Sequence, residues 1–307
     1  MTSAVNDTSA VPDGTVARLT AHYGPSIRDW LAPAVRGIEQ AATAWGVTLV
    51  GYHDAGWASI IAHGALDDGQ RVVIKATPER DRYLRETACL RHWRGRHVPR
   101  LLAAEDTRQL LLMEMIGPNP GGSARPGDHE QRVARRLVEL HRATASALPD
   151  VPQVRRKLQT QTLPGLRRSD TLRSRIGAQV VRGIISVGEQ LAERVHEPTL
   201  LHGDLYAENI AFDAAGEPRF VDPRGLIGPI EFDWAFWCVF YVGEGFLRRV
   251  SVVDELRLAD TDRVLRWSAV LAASRIRYQL DAGIDHGLPA LAEVLSTPAV
   301  HNVIARP

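Results

Sequence analysis

The stretch LLHGDLYAENIAFDAAGEPRFVDPRG, residues 200–225, decides the fold. It places a histidine, an asparagine and several carboxylates around two short apolar runs, and it ends on an Asp-Pro pair and a basic turn. The runs IAFD and PRFV flank Ala-Ala-Gly-Glu, a combination that predicts a short β-hairpin. Because a hairpin returns the chain, we expect Asp222 to come back to the segment that carries Asp204 and Asn209.

Asp204 and Asn209 lie on a segment with too many polar residues to be core. Their spacing matches the kinase pattern H-x-D-x-x-x-x-N, in which the Asp accepts or orients the substrate hydroxyl and the Asn holds Mg²⁺. Asp222 stands where kinases carry the Asp of D-F-G, which chelates Mg²⁺. The next residue is Pro223, which fixes φ and lacks an N–H. We therefore expect a rigid segment and a constitutively assembled site.

Composition and cysteine count narrow the class of protein. The 307 residues are 45% apolar and 24% charged with a net charge of +1, so no nucleic-acid partner is expected. Cys89 and Cys238 are far apart, which indicates neither a disulfide framework nor a zinc site. The N-terminus lacks the features of a signal peptide, and the longest apolar run, residues 234–242, is too short to span a bilayer. We expect a cytoplasmic monomer with no membrane partner.

The first third of the chain predicts a small antiparallel sheet with one inserted helix. An amphipathic helix over 27–45 precedes the sheet, and a second helix is predicted over 79–94. Strands are predicted from VTLVGYH, ASIIAHGAL, QRVVIKA, PRLLAAE and QLLLMEMI. We assign residues 1–14 to a disordered lead and residues 15–116 to a nucleotide-binding N-lobe.

The Gly- and Pro-rich segment 117–127 is the predicted boundary between two lobes. Beyond it, helical periodicity covers residues 129–146, 171–194, 230–242 and 261–282. The only strand-like material in this half is the stretch 200–225. We therefore predict an α+β, bilobal protein whose C-lobe, residues 117–307, is mainly helical and carries catalysis and substrate binding.

A lysine and a glutamate of the N-lobe are candidates for nucleotide binding. RVVIK ends a predicted strand at Lys75, similar to the V-A-I-K lysine that contacts the nucleotide phosphates in kinases. Such a lysine needs a carboxylate, for which Glu86 on the following helix is the candidate and Glu79 the alternative. A solvated edge-strand lysine and an ordinary surface glutamate are the competing interpretations.

Two other N-lobe segments are assigned to the nucleotide by their position. Residues 51–59, GYHDAGWAS, lie where a nucleotide-covering loop belongs, although they lack G-x-G-x-x-G. Glu114 and Met115 lie where a strand leads into the interlobe linker, whose backbone groups commonly hydrogen-bond adenine. We include both residues in the expected cofactor site.

FVDPRGLIGPIEFDWAFW, residues 220–237, together with Lys75 and HGDLYAEN, resembles the aminoglycoside phosphotransferase family of small-molecule kinases. It is most similar to the branch that contains streptomycin 6-phosphotransferases and hydroxyurea kinases. The resemblance implies a protein-kinase-like fold and Mg²⁺-dependent transfer of phosphate from ATP or GTP to a hydroxyl. By this resemblance Asp204 is the catalytic base or the group that orients the hydroxyl, Asn209 and Asp222 are metal ligands, and Lys75 binds phosphate.

Two residues, His202 and Asp233, are expected to support the loop that carries Asp204. His202 is expected to be structural and to bond the backbone around the loop. Asp233 lies inside EFDWAFW, where an unpaired charge would be costly, so it must have polar partners. By family analogy it braces the catalytic-loop backbone. Tyr206 departs from the family, whose members often have His at this position in H-G-D-L-H, and this change affects the acceptor side of the loop.

The expected acceptor is a small hydroxylated molecule, such as the aminoglycoside streptomycin. A cationic acceptor needs an acidic surface, for which the candidates are Glu208, Glu231, Asp281 and Asp285. A metabolic sugar or amino-alcohol kinase would share every motif. Two readings of other classes are a metal-dependent phosphoesterase, which would leave Lys75 unused, and a nucleotide-binding regulator with a dead site.

Overall fold

The structure is a computed structural model, and it describes residues 11–54, 56–119, 121–142, 148, 151–193, 198–241 and 245–306. The chain forms two compact units. The first unit takes the chain up to Gly127 together with Ala211–Val221, and the second takes Asp128–Ile210 together with the chain from Asp222 onward. The boundary thus lies at the far end of segment 117–127, and the predicted hairpin belongs with the first unit.

The first unit combines helices with a β-sheet, and the second unit is mainly helical. The helices are α1 (Asp13–Tyr23), α2 (Arg28–Ala44), α3 (Arg80–Trp93), α4 (His129–His141), α5 (Val154–Lys157), α6 (Leu163–Arg168), α7 (Asp170–Ile176), α8 (Ala178–Glu193), α9 (Ile230–Phe240), α10 (Phe246–Glu255), α11 (Thr261–Asp281), α12 (Leu288–Ser296) and α13 (Pro298–Ala305). The strands are β1 (Val47–Tyr52), β2 (Ile60–Leu66), β3 (Arg71–Ala76), β4 (Leu101–Glu105), β5 (Leu110–Glu114), β6 (Thr199–Leu201), β7 (Ile210–Phe212), β8 (Pro218–Phe220) and β9 (Leu226–Gly228). Short 3-10 turns lie at Pro25–Ile27 and Ala207–Asn209, and a π-helical turn at Leu158–Thr162 joins α5 to α6.

No helix within the described segments has the length and apolarity that crossing a bilayer requires.

The five strands of the first unit form the predicted antiparallel sheet, in the order β1-β2-β3-β5-β4. Lys75 lies on β3, opposite Ile61 of β2 and Leu111 of β5. Successive side chains of a strand point to opposite faces. Ile74 and Ala76 therefore enter the core that α1 and α2 cover, while Lys75 points to the face that α3 covers.

Helix α1 corrects the expectation of a disordered lead over residues 1–14. Residues 1–10 lie outside the described residues, but Asp13 and Gly14 form the first turn of α1. The sequence signal was weak because the residue before the helix is Pro12, which supplies no side-chain cap. Leu19 is fully buried in the core of the sheet. Packing therefore stabilises this helix more than local propensity does.

The second unit is arranged around helix α9. This helix is buried continuously from Glu231 to Val239, and its residues Trp234 and Trp237 are inaccessible to solvent. It packs against α10 and against the long helix α11, which also contacts α8, α12 and α13. A helix buried on every side has no solvent-facing stripe. The carboxylate of Asp233, in the middle of this helix, must therefore be satisfied by the protein.

Most predicted elements are confirmed, while several short ones were missed. The predicted helices 27–45, 79–94 and 261–282 correspond to α2, α3 and α11. Helices α10, α12 and α13 were not predicted. The predicted helical residues 143–146, 194 and 242 lie outside the described residues, as do loop residue 55 and boundary residue 120.

Two strand pairs organise the stretch 200–225. The predicted hairpin is confirmed as β7 and β8, and the Asp213 side chain closes its turn by accepting hydrogen bonds from the backbone N–H groups of Ala215 and Glu217. Strand β6 pairs with β9, with Leu200 opposite Ile227. This second pairing places the start of the loop after β6 beside the segment that follows Asp222.

Gly122 allows segment 117–127 to lie directly against the backbone of β7. Its φ is +91°, and a Cβ at this position would come within 2.7 Å of the backbone N and O of Phe212. Gly69, in the turn between β2 and β3, has a similar φ of +83° but no atom within 4 Å of such a Cβ.

We predict that Gly122→Ala lowers the free energy of unfolding by more than about 3 kcal/mol, because backbone strain and a backbone clash combine. Gly69→Ala, which adds only the strain, is expected to cost about 1 kcal/mol. Chemical denaturation of both variants measures the difference. Equal losses in the two variants would show that the contact with Phe212 contributes nothing.

Candidate active site

A buried carboxylate on α9 fixes the start of the loop that carries Asp204. Asp233 is inaccessible to solvent, and its two oxygens accept hydrogen bonds from the backbone N–H groups of His202 (2.8 Å) and Gly203 (2.9 Å). His141, at the end of α4, lies with its Nε2 3.1 Å from Oδ2 of Asp233. Because a buried charge is tolerated only with such partners, Asp233 joins α4, α9 and the loop.

His202 connects the same loop to the segment that follows Asp222. It is fully buried, and its carbonyl accepts hydrogen bonds from the backbone N–H groups of Arg224 (2.9 Å) and Gly225 (3.2 Å). Its ring Nδ1 accepts the backbone N–H of Asp204 at 3.3 Å. The ring and both backbone groups of His202 are thus engaged in holding the loop.

Asp204 follows Gly203 in this loop and is buried, with 8% of its surface exposed. Nδ2 of Asn209 donates to the Asp204 carbonyl at 2.8 Å and lies 3.2 Å from Oδ2 of its carboxylate. Nε of Arg224 lies 3.4 Å from the same Oδ2, and the Arg224 side chain is 46% exposed. Arg224 is thus paired with Asp204 in the structure.

Asp222 has an unusual backbone conformation for its position. Its φ is +57°, in the left-handed region, although it is not glycine and precedes Pro223. A residue before proline is disfavoured in helical conformations, and a non-glycine residue at positive φ stores strain that the surrounding structure must hold. Asp222 is partly buried. The constrained backbone therefore limits the directions in which the Asp222 carboxylate can point.

Asn209 and Asp222 have the donor chemistry of a magnesium site. Carboxylate and amide oxygens suit Mg²⁺, which usually takes one or two protein carboxylates and completes its shell with phosphate oxygens and water. With its Nδ2 directed at Asp204, Asn209 offers Oδ1 as its remaining polar atom. Within the described ranges, no group of three or more His, Cys, Asp or Glu side chains could hold a metal.

Lys75 and Glu86 form a buried ion pair in the first unit. Nζ of Lys75 on β3 lies 2.8 and 2.7 Å from the two carboxylate oxygens of Glu86 on α3. The two side chains are 4% and 1% exposed. Glu79, the alternative partner, lies exposed before the first turn of α3. A charge pair of this kind fixes the ammonium group at one place, because neither group can separate without leaving a buried charge behind.

The residues assigned to the linker are engaged within the protein. The Glu114 carboxylate accepts the backbone N–H of Arg100 at 3.0 Å, and the backbone N–H of Met115 donates to the carbonyl of Arg71 at 3.0 Å. Met115 therefore cannot offer its N–H to a bound base without breaking a sheet hydrogen bond. The next backbone N–H, that of Ile116, makes no backbone hydrogen bond among the described residues.

Two of the expected acceptor carboxylates are paired with arginines. Glu231 is buried and lies 3.3 Å from Arg263, so it does not form part of an open acidic surface. Asp281 is exposed but lies 2.6 Å from Arg277 on the same helix. Glu208 is exposed on the loop that carries Asp204, next to Asn209. The acidic surface expected for a cationic acceptor is therefore smaller than the sequence suggested.

Tyr206 is enclosed by aromatic rings and an arginine. Its ring lies 5.0 Å from that of Phe236 and 5.3 Å from that of Phe240, measured between centroids. The Arg275 guanidinium lies 5.9 Å from the Tyr206 ring and 5.3 Å from the Tyr278 ring. Burial raises the pKa of the Tyr206 phenol to about 12, so the hydroxyl is neutral at physiological pH.

Sequence reasoning missed two contributors to this arrangement. No sequence pattern pairs His141 with Asp233, which is far away in sequence, yet the two side chains lie side by side. Arg275 carried no signal beyond its place on an amphipathic helix, three residues before Tyr278. Both residues act through contacts with residues far away in the chain, and such contacts cannot be predicted from a single sequence.

Comparison with known proteins identifies one family. The model of the family described as aminoglycoside/hydroxyurea antibiotic resistance kinase matches residues 44–242. The streptomycin 6-kinase of Streptomyces griseus is 25% identical over 319 residues, covering 94% of this chain and 97% of that protein. A chloroplastic protein-ribulosamine 3-kinase of Oryza sativa subsp. indica is 39% identical over 81 residues, which cover 24% of each chain.

Solved structures share the fold at low sequence identity. A choline/ethanolamine kinase family protein from Mesorhizobium loti has a TM-score of 0.62 at 14% identity, covering 87% of this chain and 98% of that one. A thermostable mutant of aminoglycoside phosphotransferase APH(4)-Ia, in ternary complex with ADP and hygromycin B, has a TM-score of 0.58 at 12% identity, covering 87% and 97%. These likenesses confirm the predicted fold class.

We predict that Glu86→Ala lowers the free energy of unfolding by about 3–5 kcal/mol, because it removes the carboxylate from a buried ammonium group. Glu79→Ala is the matched control, an exposed glutamate at the start of the same helix, and should change stability by less than about 0.5 kcal/mol. Urea unfolding compares the two. Equal, small effects would show that Lys75 does not depend on Glu86.

Proposed function

The chain belongs to the aminoglycoside/hydroxyurea antibiotic resistance kinase family, and we propose that it transfers the γ-phosphoryl group of ATP or GTP to a hydroxyl of an aminoglycoside such as streptomycin. Its phosphotransferase character follows from the family. We further propose the identity of the acceptor, a requirement for Mg²⁺ and the roles of the individual residues. The likeness to a streptomycin 6-kinase over nearly the whole of both chains supports streptomycin.

The observation that carries the proposal is the way Asp204 is held. Its backbone N–H is bonded to His202, its carbonyl and carboxylate to Asn209, and the loop before it to the buried Asp233. We propose that Asp204 binds the acceptor hydroxyl. It orients the hydroxyl oxygen for in-line attack and accepts its proton. Phosphoryl transfer needs little covalent chemistry from the protein, so such positioning supplies most of the rate.

The nucleotide is assigned to the first unit. Lys75, fixed by Glu86, contacts the nucleotide phosphates as a point charge. The backbone N–H of Ile116, rather than that of Met115, is the proposed donor to the base. The phosphates are common to ATP and GTP, and a single backbone N–H can donate to a ring nitrogen of adenine or to the carbonyl oxygen of guanine, so the assignment applies to both nucleotides.

Asn209 and Asp222 are the residues proposed to hold Mg²⁺, which when bound neutralises the phosphate charge that develops during transfer. The left-handed backbone of Asp222, followed by Pro223, restricts the positions that its carboxylate can take. Arg224, next to Asp204, adds a positive charge on the same side of the loop.

A second candidate acceptor is a neutral or weakly basic sugar derivative. The local identity of 39% to a protein-ribulosamine 3-kinase is higher than the global identity to the streptomycin kinase. In addition, Arg224 and Arg275 flank the catalytic loop, while Glu231 and Asp281 are neutralised by arginines. This charge distribution favours an acceptor with few cationic groups.

The proposal is tested by nucleoside diphosphate release with streptomycin, other aminoglycosides, hydroxyurea, simple sugars and a ketoamine, each with and without Mg²⁺. We expect Mg²⁺-dependent release stimulated by an aminoglycoside, and Asp204→Ala should lower kcat by about 10²–10⁴-fold while nucleotide binding survives. Unchanged turnover in the Asp204 variant would falsify its assignment. Stimulation by the ketoamine or sugars alone would select the second candidate acceptor.

The role of Arg275 is tested separately. Removing its charge by Arg275→Ala should raise kcat/KM for a cationic aminoglycoside roughly two- to tenfold, since charge repulsion is relieved, and should leave a neutral sugar unaffected. Arg266→Ala is the control, because that arginine is paired with Asp262 on the same helix and neither residue is a candidate for the acceptor site. An equal change for both kinds of acceptor would mean that Arg275 acts through packing against Tyr206.

A further inference from the structure

The loop between β1 and β2 is held by a helix that precedes the sheet. Residues 53–59 occupy the place of a nucleotide-covering loop but lack the glycine pattern that normally shapes one. The structure describes this loop except for residue 55. Residues of α1 contact this loop from outside.

Arg18 makes the central contacts. Its Nε donates to the carbonyl of Gly56 at 3.0 Å, and its Nη2 donates to Oδ1 of Asp54 at 2.6 Å. The same Nη2 lies 3.2 Å from Oγ1 of Thr15, one turn earlier on α1. A planar guanidinium fork suits this task, since it can bind a carbonyl and a carboxylate at once.

Thr15 and Tyr23 extend the contact along the same helix. Thr15 is fully buried, and its hydroxyl lies 3.1 Å from Oδ1 of Asp54. The Tyr23 hydroxyl donates to the carbonyl of Ala58 at 3.1 Å. Gly14 permits the close approach, because a Cβ there would lie 2.6 Å from the Asp54 carboxylate. Helix α1 thus engages the loop near both of its ends.

The charge state of Asp54 agrees with this geometry. The hydrogen bond from the Arg18 guanidinium lowers the pKa of the Asp54 carboxyl, and hydrogen bonds from Thr15 lower it further. The carboxylate also lies at the N-terminal turn of α1, where a negative charge is favourable. Asp54 is therefore ionised at neutral pH, as a pair with Arg18 requires.

We propose that Arg18 is a positioning residue for nucleotide binding: α1 holds the β1–β2 loop ordered before the nucleotide arrives. This inference rests on the proposed function, because it takes the loop to cover the nucleotide. An ordered loop loses less conformational entropy on binding. Releasing it should weaken nucleotide binding while leaving the chemistry at Asp204 unchanged.

The experiment compares Arg18→Ala with Arg36→Ala, an exposed arginine on α2 without a polar contact among the described residues. Equilibrium titration with ADP, which needs no acceptor, gives the affinity. We expect the ADP Kd of Arg18→Ala to rise roughly three- to tenfold, with kcat and acceptor KM within about twofold of wild type. Arg36→Ala should match wild type in all three.

Two further variants distinguish positioning from general destabilisation. Asp54→Ala should raise the ADP Kd as Arg18→Ala does, and the double variant should add little, because both remove one interaction. Tyr23→Phe deletes only a hydroxyl, so it should fold normally and still weaken ADP binding. Arg18→Lys should not restore affinity, because its ammonium group lacks the fork. Amide hydrogen exchange over residues 53–59 should be faster in Arg18→Ala without nucleotide.

An ADP Kd in Arg18→Ala equal to that in Arg36→Ala would overturn the inference. Additive effects in the double variant, or a fall in kcat that tracks the loss of thermal stability, would overturn it as well. Wild-type protein that binds no ADP would instead contradict the proposed function itself. The failure of the inference is thus distinguishable from the failure of the function on which it rests.

Discussion

The loop that carries Asp204 depends on one buried carboxylate. Asp233 lies in a helix without a solvent-facing side, where an unpaired charge would cost roughly several kcal/mol. Its two oxygens accept hydrogen bonds from the backbone N–H groups of His202 and Gly203. The same requirement that satisfies the charge thereby fixes the loop backbone. Asp204 is the next residue, so its position depends on these two hydrogen bonds. Breaking them would leave the Asp233 charge buried without partners.

Several independent constraints then make this loop rigid without any ligand. The His202 carbonyl ties it to Arg224 and Gly225, while Pro223 and the left-handed Asp222 leave the following segment little freedom. Such an arrangement suits a reaction whose rate comes from positioning, since no ordering is needed when substrates bind. It contrasts with switchable kinases, in which the corresponding segment moves.

The sequence revealed the parts of the site that are close together in the chain. The spacing of Asp204 and Asn209, the hairpin leading to Asp222 and the strand that carries Lys75 could all be predicted, because each is a local pattern with a chemical meaning. Contacts across the chain were not readable. Helix α1 lacks a capping signal, and the neutralisation of Glu231 depends on Arg263, which belongs to another helix. Burial, which one sequence does not encode residue by residue, decided these cases.

The most direct test is the kcat of Asp233→Asn, measured beside its nucleotide affinity and its thermal stability. An asparagine keeps the shape but can no longer accept hydrogen bonds at both positions. The account predicts a folded protein with unchanged nucleotide affinity and a kcat lowered by roughly 10²-fold, because the loop that carries Asp204 shifts. A kcat near the wild-type value would contradict the claim that this carboxylate positions the catalytic loop.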